Sequence, residues 1–146
     1  MSVEENKAVM QRIWKELINE GKTGKMNELI ATDYAFHAPG GYEKRGIEGL
    51  REFIGWLHTS FPEIHFTVDD VIAEGDKVVS FYSVKGTHKS NKPVNSQGVI
   101  ISRFASGKEV EAWDIYDRFT LALQLAPGLA KALLRFVEKQ MVTDRP

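Results

Sequence analysis

The chain has 146 residues, 42% of them apolar and 27% charged, the size and composition of one globular domain and too short for an enzyme with a separate dinucleotide module. Its 19 basic and 20 acidic residues leave a net charge of −1, so nothing in the balance favours nucleic acid or an anionic membrane. There is no cysteine, which excludes disulfides, thiolate zinc sites and thiol catalysis.

Ser2 and Glu5 have capping-box spacing, and Met10, Ile13, Trp14, Leu17 and Ile18 follow at helical intervals until Gly21. This predicts a first amphipathic helix of about five turns. A short helix is expected at 25–31 and a short strand at 34–38, stopped by Pro39-Gly40-Gly41. Ile47, Leu50, Ile54, Leu57 and Phe61 predict a second long helix ending before Pro62. Gly49 and Gly55 inside it cost about 1 kcal/mol each relative to alanine, and close packing is the expected reason. From His65 the period changes to two. Strands are expected at 65–74, 77–88, 97–104 and 109–120, with Gly75-Asp76 and Ser106-Gly107 as turns. Leu129, Ala130, Leu133, Leu134, Val137 and Met141 then mark a final amphipathic helix after Pro127-Gly128.

No apolar run reaches the roughly 18–20 residues of a membrane helix. The longest, Phe119 to Ala130, is broken by Gln124 and Pro127. The acidic start Met1–Glu5 shows no leader pattern, and a cytoplasmic location is expected. Helices followed by a run of strands predict an α+β class. The strands carry apolar groups on both faces, so a sheet covered by the N-terminal helices needs a second cover on its other side. The C-terminal helix or a partner copy is expected to supply it.

Several segments in this order resemble one family: Asp33-Tyr34-Ala35-Phe36-His37-Ala38-Pro39, Gly46-Ile47-Glu48-Gly49-Leu50, Phe61-Pro62-Glu63-Ile64 and Glu74-Gly75-Asp76-Lys77-Val78. Gly86-Thr87-His88 and Gly107-Lys108-Glu109-Val110-Glu111-Ala112-Trp113 follow, with Asp117 and Gln124-Leu125 beyond. Together they resemble the SnoaL-like polyketide cyclases of the nuclear-transport-factor-2-like superfamily. The resemblance implies a cone-shaped, strongly curved antiparallel sheet wrapped by the N-terminal helices around an apolar pocket. It implies one domain over 1–146, with a core of about 5–126 and a C-terminal helical extension over 127–146. It also implies an apolar small-molecule ligand and no cofactor, while the apolar second face of the sheet is the ground for expecting a homodimer through that outer face. The superfamily holds cyclases, isomerases, dehydratases, epoxide hydrolases and plain binding modules, so the fold leaves enzyme and binding module both open. The second strand has Ser80-Phe81-Tyr82-Ser83 where the hydrolases carry an Arg-x-Asp element, which argues against hydrolase chemistry. Lys89–Asn95 also departs from the Gly-rich turn of the cyclases.

The resemblance places the acid–base role of an intramolecular aldol closure on Asp117. Without a bulge, Glu109, Glu111, Trp113, Ile115 and Asp117 share one face of the last strand, opposite Val110, Ala112, Asp114 and Tyr116. Next to Trp113 and Phe119, the Asp117 carboxyl is expected to be desolvated and its pKa raised, as a general acid–base requires. His37 and His88 are expected to polarise the substrate or orient Asp117. Tyr82, Trp113, Trp14, Phe53 and Ile101 are expected to line the pocket. Glu111 lies about 20 Å along the strand from Asp117 at about 3.3 Å per residue, and a salt bridge at the sheet rim is expected for it. The four histidines, 37, 58, 65 and 88, never reach a metal-binding helical spacing, so no metal site is expected. His58 is expected to face solvent.

Overall fold

The computed structural model describes residues 1–143. Ser2 caps helix α1 (Val3–Arg12): its hydroxyl accepts from the Glu5 backbone N–H, and the Glu5 carboxylate accepts from the Ser2 N–H at 2.6 Å. The helix continues into a wider π-helical stretch, Ile13–Asn19, whose end is marked by the Glu20 N–H donating to the Lys15 carbonyl at 3.0 Å. Gly21, at φ +64°, ends it. Met10, Ile13, Trp14 and Leu17 are buried along this helix, as their spacing predicts. The Asn19 side chain clasps the backbone of Phe66, donating to its carbonyl and accepting from its N–H at 2.9 and 2.8 Å.

A 3-10 turn (Thr23–Lys25) and one turn of helix α2 (Met26–Leu29) lead into strand β1 (Ile30–Ala38). Gly40 and Gly41, at φ +80° and +76°, reverse the chain into β2 (Tyr42–Arg45). This short charged edge strand was not expected from the sequence. Helix α3 (Gly46–Ser60) turns Leu50, Ile54 and Leu57 to the core. Gly49 packs on Lys44, but Gly55 faces open space, so close packing explains only the first.

The four expected strands then form an antiparallel meander, the third beginning earlier than expected: β3 (His65–Glu74), β4 (Lys77–Thr87), β5 (Pro93–Ala105) and β6 (Lys108–Tyr116). The sheet order is β2-β1-β6-β5-β4-β3, with β1 and β6 parallel and every other pair antiparallel. The chain therefore carries the expected α+β fold, a curved six-stranded sheet with the N-terminal helices on its inner face.

β6 stops at Tyr116. The segment expected to carry the strand to residue 120 is instead helix α4 (Arg118–Leu125). Its Gln124 side chain pairs with β5, accepting from the Asn95 N–H at 2.8 Å and donating to the Asn95 carbonyl at 2.7 Å. Helix α5 (Pro127–Thr143) packs chiefly on α4. Ala130 is buried, while Leu129, Leu133, Phe136 and Met141 are exposed. Helix α5 therefore does not cover the outer sheet face, where Ile72 and Ile115 stand 67% and 59% exposed. Residues 144–146 of the expected extension lie outside the described residues. Among the described residues no helix is long and apolar enough to cross a membrane.

Candidate functional site

One irregularity in β6 decides which of its side chains face the core. Arg103 pairs with Glu111, but the next residue, Phe104, pairs with Glu109. Val110 is left without an opposite residue, a β-bulge that reverses the in-out alternation at that point. Beyond it Ala112, Asp114 and Tyr116 face inward, and before it Glu109 does too. The expectation that Glu109 shares a face with Glu111 and Trp113 is therefore corrected.

Two spaces open on the inner face. The first is a groove of about 430 Å³ lined by Ala38, Tyr42, Phe53, Trp56 and Tyr116, with Lys44 and Glu52 at its rim. The second is a deeper cavity of about 50 Å³, walled by Met10, Trp14, Leu57 and Ile100 and carrying Tyr34, Glu109 and Asp114. Phe36 and Phe53 border both spaces, with their rings 5.0 Å apart.

Asp114 is the carboxyl that meets the requirement placed on Asp117. Its Oδ1 accepts a 2.7 Å hydrogen bond from the Tyr82 hydroxyl. Burial pushes its pKa up to about 6, against the opposing pull of that bond. The Tyr82 ring packs between Trp14 and Phe66, at centroid distances of 5.1 and 5.6 Å. It reaches β6 by crossing over Gly98 of β5, where a Cβ would collide with the phenol. Glu109 lies deeper, 2% exposed, and burial pushes its pKa up to about 7 despite the Ser102 and Tyr34 hydroxyls beside it. The bulge hides Glu109 from the sequence, whereas Asp114 shares a face with Ala112 and Tyr116 by ordinary alternation and only the packing shows that face to be the inner one.

Asp117 is exposed at the N-cap of α4, where it accepts from the Thr120 N–H at 2.9 Å and from the Thr120 hydroxyl. Those two bonds hold its carboxyl below the usual range. The expected desolvation and raised pKa are corrected, since the strand ends one residue earlier and the carboxyl caps a helix in solvent.

The other expected residues divide between the two faces. Trp14 and Phe53 line the cavities and Tyr82 holds Asp114. Trp113 and Ile101 pair with each other on the outer face of the sheet, away from the pocket. This corrects their expected place, because the strand alternation turns them outward. His37 is also on the outer face, stacked on Trp113 at 5.5 Å, with Nε2 2.9 Å from Glu111 and Nδ1 3.1 Å from Glu43. Glu111 also accepts from Arg103 at 3.0 Å, and the His37 and Arg103 bonds hold its carboxyl low. This is the ion pair expected of Glu111. His88 follows β4 and bonds Ser90 at 2.7 Å, edge-on to Phe61. The structure brings neither histidine to Asp114 or Asp117. His58 is partly buried, bonded to the Ile18 carbonyl at 2.8 Å, which corrects its expected exposure. Among the described residues no group of acidic and histidine side chains is placed to hold a metal ion.

The family model for SnoaL-like polyketide cyclases matches residues 8–125. No functionally curated protein matches the chain. Among solved structures, wild-type IdmH from Streptomyces antibioticus, provisionally described as a polyketide cyclase, is 28% identical at a TM-score of 0.73. The alignment covers 82% of this chain and 97% of that one. A Bacillus cereus protein with the same provisional description is 29% identical at a TM-score of 0.74, covering 83% and 80% of the two chains. A protein from a Jannaschia species is 20% identical at a TM-score of 0.79, covering 84% and 92%, and supports the fold alone.

Proposed function

Because the chain belongs to the SnoaL-like polyketide cyclase family, we propose that it binds an apolar, polyketide- or steroid-like carbonyl compound and rearranges it by acid–base chemistry at Asp114. The observation that carries this reading is the half-buried Asp114 carboxyl, bonded to Tyr82 and facing an apolar cavity beside the groove. A carboxylate with a pKa raised to about 6 is largely ionised at neutral pH yet basic enough to take a proton from carbon.

The proposed step balances within the substrate. Asp114 removes a proton from the carbon beside a carbonyl, and the electron pair of the C–H bond moves to the carbonyl oxygen as an enolate. The enolate carbon attacks a second carbonyl of the same molecule, forming the ring C–C bond. Protonated Asp114 then gives its proton to the new alkoxide. The aromatic groove would fold the chain so that the two carbons meet. Returning the proton to a different carbon would make the same site an isomerase, and later loss of water would make it a dehydratase.

The test is turnover of a linear poly-β-ketone ester and of a β,γ-unsaturated 3-ketosteroid, followed by the absorbance of the conjugated product. Asp114→Asn is expected to cost about 10²–10⁴-fold in rate, as loss of a general acid–base does. Equal turnover by that variant, or none by the wild type, overturns the reading. The small volume of the inner cavity, about 50 Å³, favours a second reading: a binding module that holds its ligand in the outer groove without chemistry. Under it, Asp114→Asn leaves affinity nearly unchanged and no product forms.

We also propose a cytoplasmic homodimer of one SnoaL-like domain with a helical extension. Ile72, Phe81 and Ile115 leave an apolar outer sheet face exposed, on strands that pair in sequence order. A second copy would supply the cover that α5 does not.

A further inference from the structure

Two residues that line the inner cavity each carry a buried polar atom that the protein does not satisfy. Glu109 is 2% exposed, and its Oε1 has no hydrogen-bond partner among the described residues. Trp14 is 7% exposed, and its indole Nε1–H is likewise unpartnered. Both residues line the same cavity of about 50 Å³. Leaving a buried donor or acceptor unsatisfied is costly, and here one acceptor and one donor belong to residues that line the same small space. Methionine, leucine and isoleucine side chains form the rest of much of its wall.

A hydroxyl answers both needs, because it donates one hydrogen bond and accepts others. A carbonyl can only accept, so it would serve the indole N–H but not the Glu109 oxygen that lacks a donor. The space is near that of a single polar group, given the roughly 30 Å³ a water takes up in the liquid, and it is too small for a ring. The open groove beside it is about nine times larger, about 430 against about 50 Å³, and lined largely by aromatic side chains. Phe36 and Phe53 border both.

Resting on the reading of these two spaces as the ligand site, we infer that the protein selects a flat apolar ligand bearing a terminal hydroxyl, phenolic or enolic. The hydroxyl enters the inner cavity, donates to Glu109 and accepts from the Trp14 indole N–H, while the ring system lies in the outer groove. Glu109 is then a specificity group at the end of the site, separate from the acid–base role given to Asp114. A site built to hydrogen-bond a hydroxyl rejects an analogue that lacks it far more strongly than an apolar pocket rejects a missing methylene.

The test compares 2-naphthol with 2-methoxynaphthalene by calorimetry on the full chain. The two share one ring system, and only the first can donate. Wild type is expected to bind 2-naphthol at least about tenfold more tightly, in the range of one hydrogen bond to a charged group. Glu109→Met, which removes the acceptor at similar volume, is expected to bring the ratio to within about threefold of unity. Glu109→Gln keeps an accepting oxygen and is expected to retain part of the preference. Independently, the Trp14 indole N–H resonance, assigned by its loss in Trp14→Phe, is expected to move further downfield with 2-naphthol than with the ether. That measurement uses wild type and stands if Glu109→Met does not fold. A wild-type ratio near one, an unchanged ratio in folded Glu109→Met, no difference at the indole resonance, or no binding of either compound overturns the inference. Asp114→Asn separates the two proposals. If it loses turnover while keeping the 2-naphthol preference, both stand. If it keeps turnover and the preference persists, the acid–base reading falls and this one remains.

Discussion

The Tyr82 hydroxyl lies 2.7 Å from Oδ1 of Asp114, although their strands, β4 and β6, are separated by β5. The bond spans the intervening strand because Tyr82 stands opposite Gly98, the one place where β5 presents no side chain under the phenol ring. Glycine is tolerated there at the usual cost of glycine in a strand because another group needs the space.

Gly98→Ala should therefore break the site without touching it directly. The new methyl displaces Tyr82, at a cost of about 1–3 kcal/mol by analogy with overpacked cores, readable in urea unfolding. Tyr82→Phe removes the same hydrogen bond without the clash. Since that bond favours the ionised form, the Asp114 pKa should rise above about 6 in Tyr82→Phe. Carbon-detected NMR of the carboxyl would show it. An unchanged or lowered value would show that the bond does not govern Asp114.

Stability should fall as pH rises from about 5 to about 8, above the range in which carboxyls held low, such as Asp117 and Glu111, lose their contribution. Asp114 and Glu109 have pKa values raised by burial to about 6 and about 7. The native state therefore binds more protons than the unfolded chain across that window, so the slope of unfolding free energy against pH is negative. A tenfold difference in proton affinity between the folded and unfolded chain is worth about 1.4 kcal/mol. Glu109→Gln should flatten the upper part of the curve and raise stability at pH 8. Urea midpoints measured at about pH 5, 6.5 and 8 would check this, and a wild-type midpoint that rises with pH across them would contradict it.

Asp117 and Asp114 should separate cleanly. Asp117→Asn keeps a capping oxygen, since asparagine is a good N-cap, and should change turnover by less than about threefold beside the 10²–10⁴-fold loss expected of Asp114→Asn. Asp117→Ala should lower the melting temperature by loosening α4, whose first turn its side chain caps. That contribution is present at neutral pH and fades on acidification, because the folded carboxyl is held below its usual pKa. Steady-state kinetics with melting curves at pH 7 and pH 3 would test both halves.

The outer sheet face should decide assembly. Ile115→Asp puts a charge on the outer sheet face that also exposes Phe81 and Ile72. Sedimentation should show a dimer for wild type and a monomer for this variant at micromolar concentration, with the fold retained. A chain ending at Ala126 should remain dimeric and melt within a few degrees of wild type, because α5 buries little of itself. A monomeric wild type would remove the dimer from the proposal.

Much of the framework could be read from residue order. The Ser2–Glu5 cap, the 3-4 spacing of Leu50, Ile54 and Leu57, and the alternation after His65 each depend on neighbours within a few residues. The edge strand Tyr42–Arg45 escaped notice because it is short and charged, and pairs only with β1. Helix α4 could have been found: Asp117 and Thr120 have N-cap spacing, and Leu121 and Leu125 follow one turn apart. Residues 117–120 instead read as the end of the last strand.

The amino-acid order alone determined the α+β class, the meander and the absence of thiol chemistry, since composition and local periodicity suffice for these. Which carboxyl is buried was decided only by tertiary structure. The unpaired Val110 turns Glu109 inward, the early end of β6 leaves Asp117 in solvent, and the bare backbone at Gly98 lets Tyr82 reach Asp114. A bulge is a mismatch between two strands and a desolvated carboxyl is a property of everything packed around it, so neither is encoded in the spacing of one segment.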